Sequence, residues 1–173
     1  VVFVCCLFLL CVLVYLFRVP KRELPKLNET HILAPCDGTI IDIENTSNDM
    51  IKIKIHINIF DVHVQWYPVE GIIRNVINKK GTFNPNTFFS KSKDNEKIST
   101  IIQNKRGIVR VDQIAGQFGQ RIVNWSNTNN SVHKGQLMGM IKFSSQVDIF
   151  LPAYKVDLLS SVDDKIIGKI TPI

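Results

Sequence analysis

The chain has 173 residues, enough for one domain with little room for a second. Hydrophobic residues make up 45% and charged residues 21%, which excludes a disordered tail or a collagen-like repeat. The formal net charge of +6 suits an acidic partner, either nucleic acid or an anionic membrane.

The first segment, Val1 to Phe17, carries no charge and no strongly polar side chain. As a helix it would span about 25 Å, slightly short of a bilayer core of about 30 Å. The sequence opens on Val, and a few more apolar residues upstream would complete a span. Arg18, Lys21, Arg22 and Lys26 follow, opposed only by Glu23 and Glu29. A basic flank placed after the run, with no small-residue cleavage site, fits a secretory signal peptide poorly. The expectation is a transmembrane anchor over 1–17 and a basic linker over 18–30. The positive-inside rule then puts the folded part, 31–173, on the cytoplasmic-type face. A buried core helix is the plain alternative. Three of the four Cys (Cys5, Cys6 and Cys11) lie in this run. Cys36 is left alone, so neither a disulfide framework nor a Cys-based zinc site is expected, and no metal is assigned.

Pro20 and Pro25 mark an extended linker. Beyond it, Ile51 to Ile59 alternates five Ile with four polar residues, the signature of a half-buried strand. Shorter strand-forming runs recur at Gly38–Ile43, Ile108–Ile114, Arg121–Trp125, Leu137–Phe143 and Gln146–Leu151. The polar stretch Asn84–Thr100 breaks the pattern as a loop or short helix. No Gly-rich phosphate loop, His-x-x-x-His pair or helix-turn-helix pattern is present, which argues against nucleic acid. The fold class expected is all-β or β-rich α+β, a barrel or sandwich. Pro35–Ile43 and Gly135–Phe143 share a turn-then-strand look, similar to the hairpins of biotinyl and lipoyl domains. No Lys occupies the carrier position, which disfavours a swinging-arm carrier.

Asp37 lies in a turn entering a strand, where an Asp commonly bonds its own backbone. His63 follows the Ile alternation. If that strand continues unbroken, Asp61 and His63 point inward and need partners or a pocket. A bulge near Phe60 would instead turn Val62 and Val64 inward. The pattern does not choose between a structural and a catalytic His63. His56 belongs to the polar members and should face solvent. Ser145 shares the apolar face of its strand with Val147, Ile149 and Leu151. A small filler is its ordinary role there, and no Gly-x-Ser-x-Gly elbow surrounds it.

Several motifs occur in order: Phe17-Arg-Val-Pro-Lys-Arg22, Ala34-Pro-Cys-Asp-Gly38, Phe60-Asp-Val-His-Val64 with Pro68-Val-Glu-Gly71, Asp94-Asn-Glu-Lys97, Gln113-Ile-Ala-Gly116 with Arg121-Ile-Val-Asn-Trp125, and Gly139 through Pro152. Together, after an apolar run, they resemble the short, membrane-anchored branch of phosphatidylserine decarboxylase. The resemblance implies a proenzyme that cuts itself between Ser144 and Ser145 into chains 1–144 and 145–173. The Ser145 hydroxyl attacks the preceding carbonyl to give an ester, and β-elimination and hydrolysis leave a pyruvoyl group, the enzyme's cofactor. The amine of phosphatidylserine then forms an imine with that group, carbon dioxide leaves, and phosphatidylethanolamine is released. By the same resemblance His63 supplies the proton and Asp37 serves self-cleavage beside the Ser. The implied partners are phosphatidylserine in an anionic membrane and the two chains of one precursor, with a homo-oligomer left open.

The sequence departs from the family pattern at four places. Ser144 stands where Gly is usual, and a side chain there resists strained dihedrals, so slower cleavage or a differently placed scissile bond is expected. Trp66 stands where the long branch has a second His, Val19 where Asp is favoured, and Gln146 where Arg is common. Residues 153–173 match nothing assignable. Two readings follow: a working decarboxylase, or an unprocessed relative that remains as a membrane-attached lipid-binding or interaction module.

Overall fold

In a computed structural model of the chain, the structure describes residues 1–26, 30–81, 95–116, 121–142 and 145–173. The apolar run forms one helix, α1 (Val2–Leu16). Its 15 residues rise about 22 Å, and no helix among the described residues is long and apolar enough to cross a membrane. The helix is two residues shorter than the apolar run over 1–17, for which a transmembrane anchor was expected. Its end is sealed by Arg18, whose guanidinium donates to the Tyr15 carbonyl at 2.7 Å and stacks 4.0 Å over the Tyr15 ring. Pro20 then prevents continuation.

The rest of the described chain is β-rich, as expected. The strands are β1 (Gly38–Asn45), β2 (Met50–Ile57), β3 (Val64–Trp66), β4 (Gly71–Lys79), β5 (Lys97–Asn104), β6 (Gly107–Ile114), β7 (Ile122–Asn124), β8 (Ser131–Val132), β9 (Leu137–Ile141), β10 (Ser145–Pro152) and β11 (Lys165–Ile166). One sheet runs β11-β1-β2-β10-β6-β5-β4-β8 and a second runs β3-β9-β7. Every pairing is antiparallel. Both sheets feed one core, in which Ile53, Ile55, Val111, Val147 and Ile149 of the large sheet meet Ile122, Met138 and Ile141 of the small one.

The Ile alternation behaves as its period demands. Ile53, Ile55 and Ile57 are buried, and His56 is exposed, as expected. The strand stops at Ile57, however, two residues before the alternation does. The Asp61 carboxylate accepts from the Asn58 N–H at 2.8 Å, and the Asp61 N–H donates to the Asn58 carbonyl at 3.0 Å. That self-closing turn ends the pairing and turns Ile59 outward. Neither an unbroken strand nor a bulge carries the chain to His63.

The stretch 84–100 is corrected at its end, since β5 begins at Lys97. The remainder of that stretch up to residue 94 lies outside the described residues, as does Phe143 of the Leu137–Phe143 run.

Gly38 opens β1 with φ 152°. A Cβ there would fall onto the His56 carbonyl oxygen and lie 2.9 Å from Ile55 Cγ2. We expect Gly38→Ala to destabilise the fold by about 1–3 kcal/mol, read as a lower denaturant midpoint at unchanged m-value.

Candidate active site

β10 lies between β2 and β6, and its first residue, Ser145, is register-paired with Ile57. Alternation puts its side chain on the face of Val147, Ile149 and Leu151, all buried. Ser145 is 4% exposed, and its hydroxyl oxygen has no hydrogen-bond partner among the described residues. An unpaired buried hydroxyl costs about 1–3 kcal/mol. Ser144 lies outside the described residues.

His63 enters from the turn and leads into β3. Its chain neighbours Val62 and Val64, with Trp66, form a small buried cluster against which Met140 packs. The His63 carbonyl accepts from the Ile141 N–H at 3.1 Å and from Gln65 Nε2 at 2.8 Å. Its ring, 0% exposed, meets the Phe17 ring edge-on at 6.1 Å. Neither ring nitrogen makes a hydrogen bond of ordinary geometry among the described residues, although the backbones of Asp61 and Leu16 lie close enough to favour the imidazolium. Burial pushes the imidazole pKa below its ordinary value, and the neighbouring backbone and carboxylate of Asp61 oppose this only in part. The ring is therefore neutral near pH 7, with one proton to give and one lone pair to accept.

Two connections tie the segment that carries His63 to the segments flanking Ser145. His63 lies six residues beyond Ile57, the register partner of Ser145. Its carbonyl is also bonded to Ile141, four residues before Ser145. Among the described residues, the Ser145 hydroxyl at the start of β10 and the two His63 ring nitrogens make no hydrogen bond of ordinary geometry.

Asp37 is held differently. Arg22 grips its carboxylate with both guanidinium nitrogens, at 2.5 and 2.7 Å, and the Gly168 N–H donates to it at 2.8 Å. Arg22 also donates to the Gly168 carbonyl at 2.8 Å and lies 4.9 Å over the Trp66 ring. The carboxylate is thus tied to distant segments rather than to its own turn. Asp37 leads into β1, which is two strands from β10, about 10 Å across the sheet. Trp66, at the second-His position, is buried and packs on Gly168, where a Cβ would lie 2.7 Å from the ring. Gln146, in the usual Arg position, donates to Asp148 at 2.5 Å.

A buried polar chain escaped the sequence reading. Gln113 donates to Gln65 at 2.8 Å, and Asn124 donates to Gln113 at 2.7 Å and to Thr100 at 3.1 Å. With the Gln65 bond to the His63 carbonyl, this network fixes the backbone that carries the imidazole. The signal was available in Gln113, a polar residue at an inward position of an apolar alternation.

The comparisons with known proteins fit this geometry. A family model described as phosphatidylserine decarboxylase matches residues 9–169. The chain belongs to the phosphatidylserine decarboxylase family. It is 36% identical over 164 residues to a phosphatidylserine decarboxylase proenzyme of Parabacteroides distasonis, covering 91% of this chain and 74% of that protein. It is 37% identical over 166 residues to one of Carboxydothermus hydrogenoformans, covering 92% and 78%. A protein of Methanosarcina mazei named as an archaetidylserine decarboxylase proenzyme is 43% identical over 141 residues, covering 82% of this chain and 64% of that protein. The expectation of an enzyme of this family, a decarboxylase, stands.

For this decarboxylase a pH dependence follows from His63. The folded state disfavours the imidazolium, so the unfolded chain binds the proton more readily below the ordinary value of 6.5. The contribution is complete above that value and is lost as pH falls through the folded pKa. Denaturant unfolding between pH 7.5 and 5 should therefore show stability falling with pH by at most about 1.4 kcal/mol per unit from this one proton, and His63→Gln should flatten that part.

Proposed function

We propose that this chain is a self-processing phosphatidylserine decarboxylase in which Ser145 is converted to the pyruvoyl cofactor and His63 handles the proton of the reaction. The observation that carries this reading is the buried Ser145 hydroxyl without a partner among the described residues, paired in register with Ile57, from which a short turn leads to His63. A hydroxyl consumed in maturation has no need of a permanent partner, so the residue fits the group.

Self-cleavage would proceed through atoms of this chain. Ser145 Oγ attacks the Ser144 carbonyl carbon, the amide C–N bond breaks, and the hydroxyl proton passes to the nitrogen, giving an ester. Loss of the Ser145 Cα proton expels the Ser144 carboxylate and leaves a dehydroalanine, which water hydrolyses to ammonia and the keto group. Chains 1–144 and 145–173 result. The pyruvoyl group supplies an electrophilic carbonyl for the substrate amine and a sink for the electrons released with carbon dioxide. His63 would take up a proton and, as the imidazolium whose acidity burial raises, pass it to the substrate carbon, returning to the neutral imidazole. Asp37, gripped by Arg22 and Gly168, acts through the segments it joins. The bound lipid is a serine phospholipid of an anionic membrane. The exposed apolar sides of α1, together with Arg18 and Lys21, hold the protein to the cytoplasmic-type face. A homo-oligomer fits this reading equally well.

Intact mass spectrometry of the purified protein tests the proposal. Wild type should yield a 29-residue fragment (145–173) with a pyruvoyl amino end, and Ser145→Ala should stay whole. Ser144→Gly should process faster. His63→Gln, assayed on its processed fraction, should lose about 10²–10⁴-fold in kcat. A wild type that stays whole and releases no carbon dioxide overturns the proposal in favour of the unprocessed, lipid-binding relative.

A further inference from the structure

We propose that the turn between β2 and β3 is a docking lip that seats the mouth of the site on an anionic bilayer. The inference rests on the decarboxylase reading above and adds the surface through which the substrate is met. At the apex of this turn Phe60 is 70% exposed and Ile59 41%. The turn is rigid, closed by the two hydrogen bonds between Asn58 and Asp61. A hydrogen-bonded turn that presents two large apolar side chains to water gains from a covering apolar partner.

The occupant follows from what adjoins the turn. The Arg18 guanidinium, at the end of α1, donates to the Phe60 carbonyl at 3.5 Å, so the lip is joined to the apolar helix. That helix is apolar all round, with Phe3, Phe8, Leu9 and Val14 exposed, as a helix facing lipid is and a helix facing one protein groove is not. Arg18 and Lys21 follow the helix end in the chain, opposed only by Glu23, and such cations near anionic lipid add attraction. Apolar apex, apolar helix and basic collar together match a lipid leaflet.

Position gives the lip its role. Ile57, the residue before the turn, is the register partner of Ser145, and His63 lies three residues beyond Phe60. A phospholipid whose acyl chains remain in the leaflet would present its head group directly at these buried residues. The lip shortens the path that the head group must travel out of the bilayer.

Tryptophan quenching tests the placement. Phe60→Trp is compared with Tyr154→Trp, at a side chain 73% exposed beyond the far end of β10. Both are measured on phosphatidylglycerol–phosphatidylcholine vesicles carrying brominated acyl chains, against the background of native Trp66 and Trp125. Quenching above background for Phe60→Trp alone is the expected result. Equal quenching at both positions, or none above background at either, overturns the proposal. Kinetics add a second reading. Phe60→Asp should raise the ratio of apparent KM for vesicle-presented phosphatidylserine to that for a dispersed short-chain phosphatidylserine by about tenfold, and an unchanged ratio counts against the lip. Absence of self-cleavage and carbon dioxide in wild type would sink the decarboxylase reading, while the quenching result would still decide the lip.

Discussion

The placement of β10 inside the large sheet is the constraint on which the rest depends. β10 is bonded along its whole length to β2 and from Gln146 to Phe150 to β6. An interior strand of this kind keeps both ladders if the chain is cut just before it. The segment after β10 is tied down as well: the Ala34 N–H donates to the Thr171 carbonyl at 2.8 Å, the Lys169 N–H to Ala34 at 2.9 Å, and the Ile173 N–H to Ile32 at 3.0 Å. Residues 153–173, which the sequence left unassigned, thus close against the segment leading into β1. Cleavage before Ser145 would create a new amino end without releasing the strand that carries it.

The Arg22–Asp37–Gly168 clasp joins three parts of the chain that are far apart in sequence. A part-buried carboxylate is costly without charge-assisted partners. Here it receives two guanidinium bonds and one amide bond, and the guanidinium plane lies over Trp66. A lysine could not reproduce that forked and stacked geometry. The absence of a side chain at Gly168 lets Trp66 and the Cys36 backbone approach closely. The linker after α1 is thereby fixed to the sheet near the site, so the apolar helix and the buried residues keep one relative position.

What could be read from the sequence divides along the line between local and non-local causes. β2 was legible because one face is buried and the other wet, and the period of two records that directly. β10 was legible from the chemical alternation of its sequence, although both of its faces are largely buried. β4 was not, because it is largely exposed and its register shifts between Ile73 and Asn75, which blurs the period. β8 and β11 have two residues each, too short to carry a pattern. Asp37 read as a local turn residue, since nothing in its neighbourhood announces partners 15 and 131 positions away. At Asp61 the local signal was present: Asn58 and Asp61 frame a turn that resets the phase, which made both phase arguments for His63 inapplicable. Its burial comes instead from β3, β9 and the end of α1.

The outer face of β10 adds the last part of the constraint. Asp148 lies opposite Asp112 across the β10–β6 ladder, and both are buried. Two carboxylates so placed would repel. Lys52 reaches Asp148 at 3.2 Å, while Lys97 and Arg110 reach Asp112 at 3.3 and 3.2 Å. Arg110 also covers the Phe150 ring at 3.5 Å. This face is therefore a lattice of alternating charge with one aromatic, while the opposite face is aliphatic. A one-residue slip of β10 would put Val147 and Ile149 into the charges and Asp148 into the aliphatic core. Both penalties act together and pin the register. The same register sets Ser145, and not Gln146, on the inner face opposite Ile57. The charge lattice, which touches nothing at the site, thereby determines which side chain is buried there.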